Sequence, residues 1–405
     1  MKYIVIIGDG MADRPLEELG GLTPLQKAYT PNMDALAKNG LAGKVKTIPD
    51  GFQPGSDVAN LCILGYDPAQ YYSGRAPLEA ASMGVELLDN DVAYRCNIVT
   101  IKEDGDWDRF IMADYSAGHI TSKEAGELIR TVDEELGNEN ISFYSGTGYR
   151  HLMVWQDGIE NVDCTPPHDI TGKEIGKYLP NGNGKEVLLR LMKESLEVLR
   201  GHDINKRRIK SGRNPGNCIW LWGQGKKPSM PPFRDRYGLS GALISAVDLT
   251  KGLGVYAGFK IINVPGATGY IDTNYSGKSD AALESLGDGD FVYLHIEAPD
   301  EAGHNGNVED KIRAIEDIDS RVIGPLLRKV EERFGRFRVL IMPDHATPIS
   351  LRTHTDDFVP FIIYDSGKSG QSGFDGYNEI ICGAENVITF EKAHKLMDFF
   401  IYGQQ

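Results

Sequence analysis

Three short apolar runs, far apart in the sequence, each lead to an aspartate. The aspartates are Asp9 after residues 3–7, Asp300 after residues 291–296 and Asp344 after residues 338–342. Short runs rich in β-branched residues are typical of buried parallel strands. Because an open α/β sheet binds its ligands beyond the carboxyl ends of its strands, the three carboxylates are predicted to meet at one edge of a sheet.

Histidines accompany two of these aspartates. His304 follows Asp300 by four residues, His345 follows Asp344 directly, and His354 lies ten residues after Asp344. Each residue alone is more commonly structural, since Gly-Asp-Gly after a strand is usually a turn and a lone histidine is usually a satisfied polar group. Together the aspartates and histidines offer six oxygen and nitrogen donors, which repel one another unless a cation joins them. The combination predicts a metal centre.

Composition narrows the class of protein. The 405 residues exceed the length at which a single core stops growing, so two domains are predicted. A formal charge of −15 disfavours a nucleic-acid partner. The five cysteines include no Cys-x-x-Cys pair, which favours a reducing cytoplasm. No segment approaches the ~20 apolar residues of a membrane span, so no membrane partner is expected. The oligomeric state is left open.

The positions of the candidate ligands predict the domain order. All of them lie before residue 60 or from residue 300 onward, and residues 226–232 are as rich in proline as a stiff linker. The predicted topology is a discontinuous α/β domain, residues 1–75 and 233–405, with a smaller α+β domain, residues 76–232, inserted into it. Apolar residues at spacings of three and four from 312 to 334 also predict a helix with one buried stripe.

Ser56 is a candidate nucleophile. It precedes an apolar stretch that can continue as a helix, so its hydroxyl is predicted to lie at a helix N-terminus, where negative charge is favoured. Ordinary capping serines are far commoner than nucleophiles. A dimetal cluster beside Ser56 would favour the nucleophile over the ordinary capping serine, because a metal-bound hydroxyl loses its proton at neutral pH.

Six motifs then suggest a family. They are GDGMADRP, GSDVANLCILGYDP, GATGYIDTNYSGK, EAPDEAGHNG, PDHATP and RTHTDDFVPF, which lie in residues 8–68 and 266–361. Together they resemble the archaeal type of cofactor-independent (2,3-bisphosphoglycerate-independent) phosphoglycerate mutases, in the alkaline phosphatase superfamily. The resemblance implies an α/β fold, an alkaline-phosphatase-like parallel-sheet sandwich with the inserted domain described above.

The resemblance also implies roles for single residues. It implies that Ser56 is the nucleophile and also a metal ligand, and that Lys278 neutralises charge on the transferring phosphoryl group. It also implies two metal sites, one formed by Asp300, His304 and His354 and the other by Asp9, Asp344 and His345. The cofactors would be two divalent ions, because carboxylate and imidazole ligands suit manganese or zinc better than magnesium; manganese is the first choice and zinc the alternative. Neither a nucleotide nor bisphosphoglycerate would be needed.

The implied reaction interconverts 3-phosphoglycerate and 2-phosphoglycerate, a small phosphorylated substrate, through phosphoserine. The insert would act as a lid, hinged at residues 74–75 and 228–232, that keeps water from the intermediate. Candidates for gripping the substrate are the compact pairs Arg150 with His151 and Arg207 with Arg208, although solvated surface positions are the alternative for each. A homoserine kinase-like phosphotransferase, a metal-dependent phosphatase and a non-enzymatic metal-binding protein stay open as alternatives, but the last leaves Ser56 and Lys278 unexplained.

Overall fold

The computed structural model describes residues 1–368 and 370–403. The chain divides into two compact units: unit 1 comprises Met1–Tyr72 and Ser229–Gln405, and unit 2 comprises Ser73–Pro228. The sequence prediction set the boundaries at residues 75 and 232. In the structure unit 2 begins at Ser73 and ends at Pro228, so Arg75, predicted to be in the first domain, lies in the helix Arg75–Ser82 of unit 2.

The elements of the described residues are numbered along the chain. The strands are β1 (Lys2–Gly8), β2 (Leu41–Val45), β3 (Val92–Lys102), β4 (Ile111–Asp114), β5 (Ile141–Tyr144), β6 (Arg150–Trp155), β7 (Val162–Asp163), β8 (Asn181–Gly182), β9 (Cys218–Lys226), β10 (Gly241–Ile244), β11 (Lys260–Ile262), β12 (Phe291–Ile296), β13 (Phe337–Met342), β14 (Val359–Asp365) and β15 (Ile388–Phe390). The helices are α1 (Pro24–Lys27), α2 (Pro31–Asn39), α3 (Ser56–Ile63), α4 (Pro68–Tyr71), α5 (Arg75–Ser82), α6 (Ser122–Leu136), α7 (Lys185–Arg200), α8 (Asp203–Lys210), α9 (Phe233–Tyr237), α10 (Asp248–Tyr256), α11 (Tyr275–Asp288), α12 (Ala298–Asn305), α13 (Val308–Asp317), α14 (Gly324–Phe334), α15 (Ile380–Gly383) and α16 (Leu396–Tyr402).

Unit 1 is built on an eight-stranded sheet in the order β11-β10-β12-β1-β13-β14-β2-β15. Strand β1 lies between β12 and β13 and is parallel to both, so that Ile7 pairs with His295 on one side and Met342 on the other. The prediction that the three aspartate-terminated runs are parallel strands is confirmed. The sheet is mixed, because β14 runs antiparallel to both of its neighbours.

The helical prediction for residues 312–334 is also confirmed. The segment forms α13, a π-helical turn over Ile318–Ile323, and α14. Its apolar stripe is buried against residues of the central strands, including Ile4, Leu294 and Val339. Pro325 lies in the first turn of α14, where the missing N–H of proline is tolerated. Burial of this stripe covers one face of the sheet and fixes the strand ends that carry the site.

Unit 2 is an α+β unit, as predicted. Its antiparallel sheet has the order β4-β3-β6-β5, with β9 on β3, and β7 and β8 form a separate ribbon. The apolar faces of α6 and α7 pack against this sheet in a single core. Among the described residues the longest helix, α7, has 16 residues, and none is long and apolar enough to cross a membrane.

Candidate active site

The carboxyl ends of β1, β12 and β13 bring the three aspartates together. Asp9 follows β1, Asp344 follows β13, and Asp300 lies in the first turn of α12; all are 5% exposed or less. Gly10 makes this approach possible. Its φ is +61°, and a Cβ there would come within 2.6 Å of the Asp300 carboxylate, so a larger residue would separate the strand ends.

Two histidines join Asp300 in a first group. The Nε2 atoms of His304 and His354 lie 3.3 and 3.4 Å from the two oxygens of Asp300, and 2.8 Å from each other. The other ring nitrogen of each histidine contacts a backbone carbonyl: His304 Nδ1 is 3.0 Å from Arg352 O, and His354 Nδ1 is 3.4 Å from Pro54 O. A carbonyl can only accept, so both Nδ1 atoms must donate. In neutral rings both Nε2 lone pairs therefore point at each other and at the carboxylate.

A second group surrounds Ser56. Its Oγ lies 3.0 Å from His345 Nε2 and 3.5 Å from Asp9 Oδ2. His345 Nε2 is also 3.5 Å from both Asp9 Oδ1 and Asp344 Oδ2. The serine is the first residue of α3 and follows Gly55, which has no side chain to cap the helix. The hydroxyl therefore lies at the positive end of a helix, beside acceptor atoms from two other segments.

Thr347 fixes the tautomer of His345. Its hydroxyl donates its single proton to Asp300 Oδ1 at 2.5 Å, because the ionised carboxylate can only accept. The same oxygen is 3.2 Å from His345 Nδ1, and with its proton already engaged it must accept there. His345 thus carries its proton on Nδ1. Its Nε2 presents a lone pair to Ser56, Asp9 and Asp344.

Burial and neighbouring charges perturb the pKa values of the clustered carboxylates and histidines. Burial, followed by the nearby charges of Asp344 and Asp300, raises the pKa of Asp9 well above its usual value. The hydrogen bond to Asp300 raises the pKa of His304 to about 9. For Asp300 burial acts to raise the pKa, but hydrogen bonds from the two histidines of its group outweigh burial and hold it well below its usual value.

The donor set fits divalent metal ions. Oxygen and nitrogen atoms close enough to share a cation form three overlapping groups: Asp300, His304 and His354; Asp9, His295 and Asp344; and Asp9, Asp300 and His345. Asp9 Oδ1 is buried and makes no hydrogen bond, an arrangement that costs free energy unless a cation compensates it.

Lys278 lies in α11 and is fully buried rather than solvated. Its Nζ donates to the backbone carbonyl of His295 at 3.3 Å, on the strand that leads to Asp300. Burial lowers the pKa of Lys278 to about 8. The ammonium of Lys278 therefore loses its proton more readily than an exposed lysine, and it lies beside the strand that leads to Asp300.

Comparison with known proteins identifies the family. Residues 37–205 match the family model for 2,3-bisphosphoglycerate-independent phosphoglycerate mutase. A protein of that name from Methanosarcina barkeri is 55% identical over 380 residues, 94% of either chain, and one named as a probable member from Geobacter sulfurreducens is 52% identical over 99% of this chain and 100% of its own. The chain belongs to the 2,3-bisphosphoglycerate-independent phosphoglycerate mutase family.

Solved structures agree with this phosphoglycerate mutase fold. A protein of Pyrococcus horikoshii superposes with a TM-score of 0.83 at 30% identity, covering 100% of this chain and 98% of its own. The cofactor-independent phosphoglycerate mutase of Thermoplasma acidophilum gives a TM-score of 0.68 at 28% identity, with 99% of both chains covered. The α/β fold with its inserted α+β unit is thus that of cofactor-independent phosphoglycerate mutases.

Sequence reasoning missed several buried residues of this mutase-family site. Asn60 Nδ2 donates to Ser56 O and to Asp344 Oδ2, both at 2.8 Å, and Tyr293 donates to Asn60 Oδ1 at 2.5 Å. His295 Nε2 lies 3.1 Å from Asp9 Oδ2. A signal for His295 was present, because a histidine interrupts an otherwise apolar strand. Asn60 gave none, since an asparagine in a helix is unremarkable without its neighbours.

A buried ion pair supports the loops of the site. Lys311 Nζ lies 2.6 Å from Asp13 Oδ2, and both side chains are wholly inaccessible. The same ammonium donates to the carbonyls of Ala12 and Thr347 at 3.3 and 2.8 Å, and the backbone N–H of Ile349 donates to Asp13. The pair thus joins the loop after Asp9 to the loop after His345.

Two of the four predicted substrate-gripping residues are buried within unit 2. Arg208 is 1% exposed and donates to Glu124 at 2.6 Å, to Ala117 O at 2.6 Å and to Asn214 O at 2.8 Å, so each of its three nitrogens is engaged within unit 2. His151 is buried, and burial lowers its pKa to about 3, which keeps it neutral. The prediction is revised for both residues. Arg150 and Arg207 are exposed and stay predictions.

Proposed function

We propose that this chain interconverts 3-phosphoglycerate and 2-phosphoglycerate, with Ser56 as the residue that carries the phosphoryl group. The observation that supports this proposal is the position of Ser56 Oγ at the N-terminus of α3, 3.0 Å from a histidine lone pair and beside the strand-end carboxylates. Family membership supports the reaction type, because relatives at 52–55% identity carry the mutase name over nearly their whole length.

Two divalent ions would complete the site. The residues proposed to hold one ion are Asp300, His304 and His354, and those for the second are Asp9, Ser56, Asp344 and His345. Bound divalent ions lower the pKa of a coordinated hydroxyl and offset the charge of a phosphoryl group in transfer. Manganese is our first choice and zinc the second, because both accept mixed carboxylate and imidazole ligands.

The proposed reaction consists of two phosphoryl transfers, the first to Ser56 and the second from it. In the first, Ser56 Oγ attacks the phosphorus of 3-phosphoglycerate; its bond to phosphorus forms as the bond to the 3-oxygen of the substrate breaks. Ser56 loses one proton and the released 3-oxygen gains one, so that free glycerate remains beside phosphoserine. The positive end of α3 favours the negative charge on the serine oxygen and then on the phosphate.

In the second transfer the 2-hydroxyl of the retained glycerate attacks phosphoserine. A bond from phosphorus to the 2-oxygen forms, the bond to Ser56 Oγ breaks, and the proton exchange is reversed. Lys278, when protonated, would offset charge on the phosphoryl oxygens during both transfers. Asn60 would hold the backbone of the nucleophile and the carboxylate of Asp344 in one fixed relation through its two donated bonds.

Unit 2 is proposed to select and retain the substrate. The exposed cations Arg150 and Arg207 are the candidates left from the sequence prediction, and an arginine can donate two parallel hydrogen bonds to a carboxylate. The role of unit 2 as a lid stays a proposal. The deciding property is retention of glycerate, because water reaching phosphoserine would release phosphate and give a phosphatase.

The proposal is tested by replacing the nucleophile. Ser56→Ala should lower kcat for conversion of 3-phosphoglycerate to 2-phosphoglycerate by several orders of magnitude, because no oxygen is left to hold the phosphoryl group. Ser122→Ala is the matched control: Ser122 is the first residue of α6, so this change tests the effect of losing a helix-terminal hydroxyl elsewhere. Mass spectrometry of wild-type protein quenched with substrate should find phosphate on Ser56.

The rival functions give different results in parallel assays. Turnover of homoserine with ATP, without mutase activity, would identify a phosphotransferase and refute the proposal. Release of inorganic phosphate as the main product from 3-phosphoglycerate would identify a phosphatase. Full mutase activity after exhaustive chelation would refute the metal part of the proposal while leaving the serine to be judged by Ser56→Ala.

A further inference from the structure

His295 occupies an unusual position for a core histidine. It is the penultimate residue of β12, has no exposed surface, and pairs with Ile7 two residues before Asp9. The backbone N–H of Asp9 donates to Ile296 O at 2.9 Å, which holds the ends of β1 and β12 together. The imidazole therefore enters the carboxylate cluster from the strand that precedes α12, and Asp300 lies five positions later in that helix.

The contacts of its two ring nitrogens differ. Nδ1 lies 3.2 Å from Ser245 Oγ, and that oxygen also accepts the backbone N–H of Val247 at 2.9 Å. Nε2 lies 3.1 Å from Asp9 Oδ2, yet it is buried and makes no hydrogen bond of acceptable geometry. The second oxygen of Asp9 is likewise buried without a hydrogen bond. His295 Nε2 and Asp9 Oδ1 thus have no hydrogen bond, and Asp9 Oδ2 accepts a long one from Ser56 Oγ at 3.5 Å. A nitrogen and a carboxylate placed in this way are arranged as ligands of a shared cation.

A third donor completes this arrangement. Atoms of Asp9, His295 and Asp344 all lie within 4.8 Å of one another. Asp344 Oδ1 is already engaged by the backbone N–H groups of Gly10 and His345, at 3.1 and 2.9 Å. Its Oδ2, which accepts from Asn60 at 2.8 Å, has remaining acceptor capacity. The group thus offers two carboxylate oxygens and one imidazole nitrogen.

We propose that His295 Nε2 is a further ligand of the metal held by Asp9 and Asp344, oriented by Ser245 at its Nδ1. This inference rests on the proposed function, since it adds a ligand to one of its two metal sites. Charge balance supports a neutral ligand there. Three carboxylates and a serine alkoxide carry four negative charges, which two divalent ions already neutralise, so an imidazole adds a donor without adding charge.

Ser245 gives the imidazole its direction. When Nε2 binds a cation, Nδ1 must carry the ring proton and donate it to Ser245 Oγ, which can accept it together with the N–H of Val247. A hydrogen bond of this kind at the distal nitrogen is usual for metal-binding histidines, and its loss typically weakens metal binding about 10- to 100-fold. Ser245 would be a positioning residue.

Metal titration of chelated protein tests the proposal. Wild-type protein should take up two Mn²⁺ ions in calorimetric titration. His295→Gln and His295→Ala should each weaken the affinity of one of the two Mn²⁺ binding events and leave the other unchanged. The loss should be at least the roughly 10- to 100-fold that follows removal of a residue hydrogen-bonded to a metal ligand. Pulsed electron paramagnetic resonance of the manganese should show fewer coordinated histidine nitrogens in both variants. His151→Gln, which removes a buried histidine of unit 2, should change neither result.

Three results would overturn the proposal. If both variants bind two ions with wild-type affinity and unchanged nitrogen signals, His295 is not a ligand, and the proposed function still stands. If His295→Gln keeps wild-type metal affinity while His295→Ala loses it, the side chain acts by donating a hydrogen bond to Asp9, and the ligand assignment is wrong. Wild-type protein that binds no Mn²⁺ would overturn both this inference and the metal part of the proposed function.

Discussion

Asn60 offers the sharpest test of how the site is held together. Its side chain is fully buried and makes three hydrogen bonds of 2.5–2.8 Å, to Ser56 O, Asp344 Oδ2 and the Tyr293 hydroxyl. Asn60→Leu keeps the branching of the side chain at Cγ and removes all three bonds without opening a cavity. Because leucine is also the larger side chain, a second substitution is needed to separate the polar role from packing.

The expected loss of stability follows from the group left without a partner. The Tyr293 hydroxyl would be buried and unsatisfied, which costs about 1–3 kcal/mol, whereas the Ser56 carbonyl keeps its helical hydrogen bond from the backbone N–H of residue 60. Urea unfolding of the metal-free protein measures this difference. Because Asp344 also loses a fixed donor, one of the two Mn²⁺ binding events should weaken about 10- to 100-fold in calorimetric titration.

A double substitution separates this explanation from simple misfit. Tyr293→Phe removes the stranded hydroxyl, so Asn60→Leu with Tyr293→Phe should be less destabilised than the sum of the single changes by about 1–3 kcal/mol. Additive losses would refute the reasoning about the hydroxyl. Unchanged metal affinity in Asn60→Leu would refute the claim that Asn60 orients Asp344.

Three further predictions concern charged residues. Burial lowers the pKa of Lys278 to about 8, and only the protonated lysine offsets phosphoryl charge, so kcat/KM of the wild type should fall as the pH rises through that value. Lys278→Arg stays charged, so its kcat/KM should not show this alkaline fall, whatever its absolute rate. A wild-type profile that is flat well above pH 8 would contradict the role of Lys278. Lys311→Met should destabilise the protein by about 3–5 kcal/mol, because it leaves the buried carboxylate of Asp13 without its cation. Adding Asp13→Leu should restore much of the lost stability in thermal unfolding. No recovery in the double variant would show that an uncompensated charge is not the cause. Arg208→Ala should cost about 1.5–3 kcal/mol of stability, whereas the exposed Arg207→Ala should leave the Tm unchanged and raise KM for phosphoglycerate, and the opposite pattern would restore Arg208 as a substrate contact.

The sequence could place the aspartates because their positions depend on local information. Apolar runs of strand length predict buried strands, and a residue just beyond such a run must lie at a sheet edge. The same locality explains Ser56, which had to begin a helix because glycine precedes it and an apolar segment follows. The buried stripe of α13 and α14 was likewise visible as a repeat of three and four residues.

The partners of these residues were decided only by the tertiary structure. Asn60 stands in an ordinary helical sequence, and its role exists because Tyr293 and Asp344 approach it from strands 233 and 284 residues away. Arg208 is indistinguishable in sequence from its exposed neighbour Arg207, yet helix rotation turns one inward and one outward. Local pattern determines where a chain ends a strand or begins a helix. Which polar atoms then face one another depends on strand order and on packing between distant segments, and no local pattern records these.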